Sequence, residues 1–313
     1  MMEKTASCIE ISGLRKSFKG HLSLSTHRVL RGVTLTLPSG GIYGFLGPNG
    51  AGKTTTLKIL TGLLFPDAGR ISILGKPLGN FSVRKRIGFL PESPYFHDYL
   101  SGRELLFFMG RLFGLKGKNL HSRAETLLEM VGLKDKGKVQ LRKYSKGMLQ
   151  RMGVAQALIN DPELVIMDEP MTGLDPIGRR DMRDIILGLK KRGKTVLFSS
   201  HILGDAESIC DRVAILVNGL VAKEGELDKL LGSAVGSWDV TLKAKDGVAL
   251  PEGAAVLSRQ GSKILLRISN EKVLNDFLAG SVGKGTAIEG VMPHKASLED
   301  LFMAQMPAKD GQQ

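Results

Sequence analysis

Gly47-Pro48-Asn49-Gly50-Ala51-Gly52-Lys53-Thr54 matches the pattern G-x-x-x-x-G-K-[ST] at every fixed position. The apolar run Ile42-Tyr43-Gly44-Phe45-Leu46 leads in with strand character, and Thr55-Thr56-Leu57-Lys58-Ile59-Leu60 leads out with helical character. Strand, glycine loop and helix in that order make a cradle for phosphate. The glycines let the loop wrap tightly, so that successive backbone N–H groups point inward, and the helix adds the positive end of its dipole. Lys53 is expected to reach the β- and γ-phosphates, and the Thr54 hydroxyl to hold Mg²⁺. Gly47, Pro48, Asn49, Gly50, Ala51, Gly52, Lys53, Thr54 and Thr55 are the expected nucleotide contacts of this loop. The chain reads as a binder of a nucleoside triphosphate.

Further along, Leu164-Val165-Ile166-Met167-Asp168-Glu169-Pro170 is an apolar strand ending in two carboxylates. A buried strand that ends in Asp beside a phosphate loop supplies the second Mg²⁺ anchor, and Asp168 fits that role. Glu169, one residue on, is placed to orient or deprotonate the attacking water as a general base. Strand-like runs at 164–167 and 195–198 are separated by a helical pattern over 176–192, and this alternation implies a parallel sheet with helices on its faces. The N-terminal stretch 9–46 reads as strands, at Cys8–Ile11 and Val33–Leu37. Residues 101–160 turn helical, beginning with Ser101 followed three residues later by Glu104.

Length, charge and cysteines set the remaining bounds. At 313 residues two domains are expected. No apolar run approaches the roughly 18–20 residues that span a bilayer, and the N-terminus lacks the apolar core of a signal peptide. Two cysteines, Cys8 and Cys210, lie far apart in no metal spacing, which points to inert packing residues in a reducing compartment. The net charge of +13 is uneven: residues 103–151 hold twelve basic and four acidic side chains, whereas 233–313 balance at nine and nine. The basic stretch fits a solvated helical face, an anionic membrane surface or nucleic acid. It lacks the interleaved aromatics that stack bases, which speaks against nucleic acid.

The last 80 or so residues change character. Trp238–Leu242 and Lys263–Ile268 read as strands, Asn270 as the cap of a helix over Glu271–Ala279, and Ser297–Met303 as a final helix. The expected division is a domain over 1–232 and a small α+β domain over 233–313, joined through Leu231-Gly232-Ser233, with a polar tail from Lys309 to Gln313.

Taken with the motifs in order, the chain resembles the nucleotide-binding subunit of an ATP-binding cassette (ABC) transporter. Leu14-Arg15-Lys16-Ser17-Phe18 supplies an aromatic at the family's adenine-stacking position. Tyr144-Ser145-Lys146-Gly147-Met148 matches the family signature, usually Leu-Ser-Gly-Gly-Gln. Gly173-Leu174-Asp175-Pro176 matches the loop that crosses to a partner subunit, and Ser199-Ser200-His201 supplies the switch histidine. The resemblance implies a P-loop fold with a mixed sheet core and a helical subdomain over about 95–160. It implies an ATPase whose two copies pair head to tail, each ATP lying between one loop and the other copy's Ser145 and Gly147. Asp175 would tie the two sites together and His201 would sense the γ-phosphate. The implied partners are ATP with Mg²⁺, a second copy, and a separate integral membrane permease that the chain powers from the inner face of the cell membrane.

Two departures stand out. Glu92, in Gly88-Phe89-Leu90-Pro91-Glu92, takes the place of the usual Gln beside Mg²⁺ and the attacking water. Lys146 and Met148 replace Gly and Gln of the signature. Such replacements, with the C-terminal Ser297-Leu298-Glu299-Asp300-Leu301-Phe302 run, are similar to a bacterial export-type branch. A soluble cassette ATPase acting on nucleic acid or ribosomes is the alternative reading. One cassette and no extended heptad run argue against it.

Overall fold

The computed structural model describes residues 7–19, 26–232, 237–243, 250–281, 287–294 and 297–305. It divides into two compact units, one on residues up to Leu227 and the other on Asp228–Ala304. The division thus precedes the expected linker at Leu231-Gly232. Ser233 and the polar tail lie outside the described residues.

In the first unit, strands β1 (Ser7–Lys19) and β2 (Thr26–Pro38) pair antiparallel and bury alternate apolar residues: Ile9 and Ile11 from one, Val33, Leu35 and Leu37 from the other. The register shifts between Ile11 and Leu14, where Gly13 takes a left-handed φ of 61°. This extra residue turns Leu14 back into the core. Strands β4 (Ala68–Ile73) and β5 (Lys76–Pro77) extend the sheet to the order β2-β1-β4-β5.

The second sheet of this unit holds β3 (Gly41–Leu46), β6 (Ile87–Leu90), β7 (Leu164–Met167), β8 (Thr195–Ser200), β9 (Arg212–Val217) and β10 (Leu220–Glu226), in the order β10-β9-β3-β8-β7-β6. All its pairings are parallel except β9 with β10. Every residue of β7 and β8 is buried, as expected of strands covered on both faces. Helix α1 (Lys53–Leu60) carries Leu57, Ile59 and Leu60 into a core that runs from β1 and β2 to Tyr43, Phe45, Leu164 and Ile166. The alternation of strand and helix therefore yields the parallel core, with a separate antiparallel sheet that the strand signals alone did not order.

Short helix α2 (Phe81–Arg84) precedes β6. Helices α3 (Gly102–Leu112), α4 (Gly117–Met130) and α5 (Lys146–Ala157) form the helical region between β6 and β7. The predicted cap of α3 is present. The Ser101 backbone N–H and hydroxyl donate to Glu104 Oε2 at 2.8 and 2.7 Å, and these bonds hold the Glu104 carboxyl below its usual range. Between α4 and α5 the chain makes two single turns that leave Lys134, Lys136, Lys138, Arg142 and Lys143 exposed. Helix α6 (Pro176–Lys191) starts at Asp175, whose side chain accepts from Gly178 N–H at 2.9 Å, with Pro176 at the first helical position. Helix α7 (Leu203–Glu207) follows β8.

Helix α8 (Leu227–Leu231) begins at the boundary of the two units. In the second unit, β11 (Ser237–Lys243), β12 (Ala254–Gln260), β13 (Lys263–Ile268) and β14 (Ala287–His294) form an antiparallel sheet in the order β12-β13-β11-β14. Helix α9 (Glu271–Ser281) packs Leu274 against Val240, Leu242, Ile264 and Leu266 of the sheet. Asn270 caps it, accepting from Lys272 N–H at 2.9 Å. Helix α10 (Leu298–Gln305) ends the described chain. Strands β12 and β14 were not foreseen.

Both cysteines are buried. Burial pushes the Cys8 thiol up to about 11 and the Cys210 thiol higher still. Each should therefore stay a protonated, shielded thiol at neutral pH. We expect a disulfide-exchange reagent to modify neither cysteine in the native protein and both after denaturation. Rapid labelling of one of them in native protein would contradict the packing.

Candidate nucleotide site

The loop after β3 turns on Gly52, the residue that caps α1 with a φ of 105°. A Cβ at Gly52 would fall 2.5 Å from Leu30 Cδ2 and 3.3 Å from Val29 O. Both conformation and space therefore require glycine. The turn brings Lys53 back over the loop, where Nζ donates to Gly47 O at 2.7 Å and Pro48 O at 3.3 Å. Lys53 is only 6% exposed, and its ammonium also pairs with Glu169 Oε1 at 3.4 Å.

Three strands converge on the same place. At the end of β7, Asp168 is buried and accepts at Oδ1 from the Thr54 hydroxyl at 3.1 Å and from the Ser199 hydroxyl at 2.7 Å. Glu169 takes a left-handed φ of 48°, and its N–H donates to Ser199 Oγ at 2.8 Å. A non-glycine residue held there is strained, and such strain is stored where the surroundings impose it. Glu169 Oε2 accepts from the Thr172 hydroxyl at 2.9 Å and lies 2.8 Å from His201 Nδ1.

The loop, Glu169, Thr172 and His201 border a cavity of about 520 Å³, lined by Pro48, Asn49, Gly50, Gly52, Lys53, Thr54, Thr55, Glu92, Glu169, Thr172 and His201 together with His27 and Val29; Asp168 reaches it only through Thr54 and is not in its wall. Loop residues Gly47 and Ala51 stand behind it: Gly47 O holds Lys53, and Ala51 is buried with its N–H on Pro48 O at 3.2 Å. Thr54 and Asp168 form a hard-oxygen pair of the kind that holds Mg²⁺ together with phosphate oxygens and water. No cluster of three or more His, Cys, Asp or Glu suited to a metal occurs among the described residues.

Other expected residues lie outside this cavity. Phe18 sits on β1 directly across from His27, 42% exposed, with Lys16 Nζ 5.6 Å from its ring centre. Ser145 caps α5, accepting from Met148 N–H at 3.3 Å, and Gly147 lies in the first turn. Asp175 caps α6. Within the chain, Lys146 is exposed but extends over Gly173, where a Cβ would overlap its ammonium. Ser199 and Thr172 had no role in the sequence reading. Only the parallel register, which sets Met167 beside Phe198, brings Ser199 next to Asp168.

Comparisons with known proteins give the family. A family model described as ABC transporter matches residues 30–172. An ABC transporter ATP-binding protein of Nostoc sp. strain PCC 7120 is 43% identical, over 98% of this chain and 92% of its own. Nod factor export ATP-binding protein I of Burkholderia lata is 35% identical, over 88% of this chain and 91% of its own. A solved ATP binding subunit of an ABC transporter superposes with a TM-score of 0.62 at 33% identity, over 71% of this chain and 91% of that one. A dimeric ATP-binding cassette with ADP and Pi shares the fold, with a TM-score of 0.64 at 24% identity over 70% and 98%. The chain belongs to the ABC transporter ATP-binding proteins, and it is an ATP-binding ATPase of that family.

Replacing Gly52 by Ala adds about 1–2 kcal/mol of left-handed strain to the clash with Leu30. ATP binding should weaken by roughly tenfold, read by titration with a fluorescent ATP analogue. Unchanged affinity would mean that the loop does not depend on this turn.

Proposed function

We propose that the chain is the ATPase of an exporter: two copies close head to tail around ATP, and the closing and opening drive a separate membrane permease. One observation carries this reading. Lys53, Thr54, Glu92, Glu169 and His201 line one cavity, whereas Ser145 and Gly147 of the same chain line no part of it. A second copy would supply them, from the positive start of α5, to the γ-phosphate. Export follows the Burkholderia relative, whose name is that of an export ATP-binding protein. A permease as a separate chain is consistent with the described helices, none of which is long and apolar enough to cross a membrane. The chain would sit peripherally, on the inner face of the membrane.

The near side of the reaction is built from this chain's own groups. Lys53 exchanges its loop carbonyls and Glu169 for phosphate oxygens. Thr54, Asp168 and Glu92 would hold Mg²⁺, whose charge would offset that of the phosphates. Release from Lys53 leaves Glu169 free to take a proton from the attacking water. Thr172 and His201 Nδ1 keep its Oε2 in place, and His201 Nε2 would donate to the γ-phosphate when both ring nitrogens carry protons. Phe18, opposite His27, provides the stacking surface for the base, and Asp175 links the two sites of the pair. The C-terminal unit is an accessory to the cassette.

Glu169→Gln removes the base but keeps an amide in the same space. Turnover should fall by about 10²–10⁴-fold, while ATP binding persists and an ATP-dependent dimer accumulates in light scattering. Turnover near the wild-type rate would remove Glu169 from the role of base. Failure to see a dimer with ATP would remove the head-to-tail reading.

A further inference from the structure

Ser199 touches neither the cavity nor solvent. It is fully buried on β8, yet it joins the two carboxylate residues at the end of β7. A hydroxyl has one proton and two lone pairs. Here the proton goes to Asp168 Oδ1 at 2.7 Å, and a lone pair receives the Glu169 N–H at 2.8 Å. The same Oδ1 also accepts from Thr54 at 3.1 Å. These two donors differ in what a cation asks of them. Thr54 can give a lone pair to a cation and keep its proton on Asp168, but its position then answers to the metal as well as to the carboxylate. Ser199, fully buried on β8, has only the carboxylate and the Glu169 N–H as partners and is the donor that orients Asp168. It also fixes the N–H of a residue held at a φ of 48°, a conformation that side-chain-bearing residues adopt only when held.

We propose that Ser199 is a positioning residue whose single buried hydroxyl sets the cation affinity of the Thr54–Asp168 pair and holds the backbone of Glu169 in register with it. This rests on the reading of Thr54 and Asp168 as the Mg²⁺ ligands. Outer partners of this kind typically change metal affinity by about 10–100-fold when removed.

The test is a Mg²⁺ titration of fluorescent ATP-analogue binding to the full chain, beside the same binding in excess EDTA. Ser199→Ala should raise the Mg²⁺ midpoint by about 10–100-fold with metal-free binding unchanged. Ser199→Thr, which restores a hydroxyl, should return the midpoint close to wild type. If Ser199→Ala does not fold, Ser199→Cys, a weaker donor of similar shape, should give an intermediate midpoint. A midpoint that stays put in Ser199→Ala or Ser199→Cys, with only a lower melting temperature, would overturn the proposal. Asp168→Asn separates the two layers. If it too leaves the midpoint unmoved, the reading of the metal pair fails; if it moves the midpoint and the Ser199 variants do not, only the role of Ser199 fails.

Discussion

The parallel register of β8 between β3 and β7 is the constraint on which the site depends. Phe45 lies beside Ser199 and Leu46 beside Ser200 on one side, and Met167 lies beside Phe198 on the other. Three chain segments therefore leave the sheet at one level. The first becomes the phosphate loop, the second carries Asp168 and Glu169, and the third carries His201. A shift of one residue in any of them would turn its side chains to the opposite face. It would also separate Thr54 from Asp168, and Glu169 from His201. Burial on both faces of β7 and β8 makes such a shift costly, so the chemistry is secured by apolar packing remote from the cavity.

Within that frame, Lys53 and Glu169 are nearly dry partners. Breaking a buried pair by removing one member leaves an uncompensated charge, which costs far more than the pair itself contributes. Polyphosphate can replace Glu169 as the anion facing Lys53 without leaving the ammonium unpaired. Glu169 in turn retains Thr172 and His201. Such an exchange would redistribute contacts rather than expose charge.

Much of this was legible in the chain. The loop, Asp168 and Glu169 stood out from local spacing, because each depends on residue types next to one another in sequence, whereas His201 entered through the family resemblance. The caps at Ser101 and Asn270 were legible for the same reason. The order of β1, β2 and β4 was not, since it rests on pairings between distant segments. Strand β12 escaped because its residues from Ala255 to Gln260 are exposed on both faces, so no alternation marks it. Ser199 and Thr172 stood in quoted or neighbouring runs, but only sheet order and the turn after Glu169 give them partners.

The lysine in the signature segment has a mechanical meaning. Because Lys146 lies over Gly173, the start of α5 and the turn from Thr172 to Asp175 are in mutual contact within one chain. That turn begins beside Glu169 and ends at the cap of α6. In a head-to-tail pair, what a subunit lends to its neighbour would be braced against what it keeps for itself. A displacement of the turn after Glu169 would therefore be transmitted to the start of α5, through Lys146 on Gly173 and Leu174 beside Gly147.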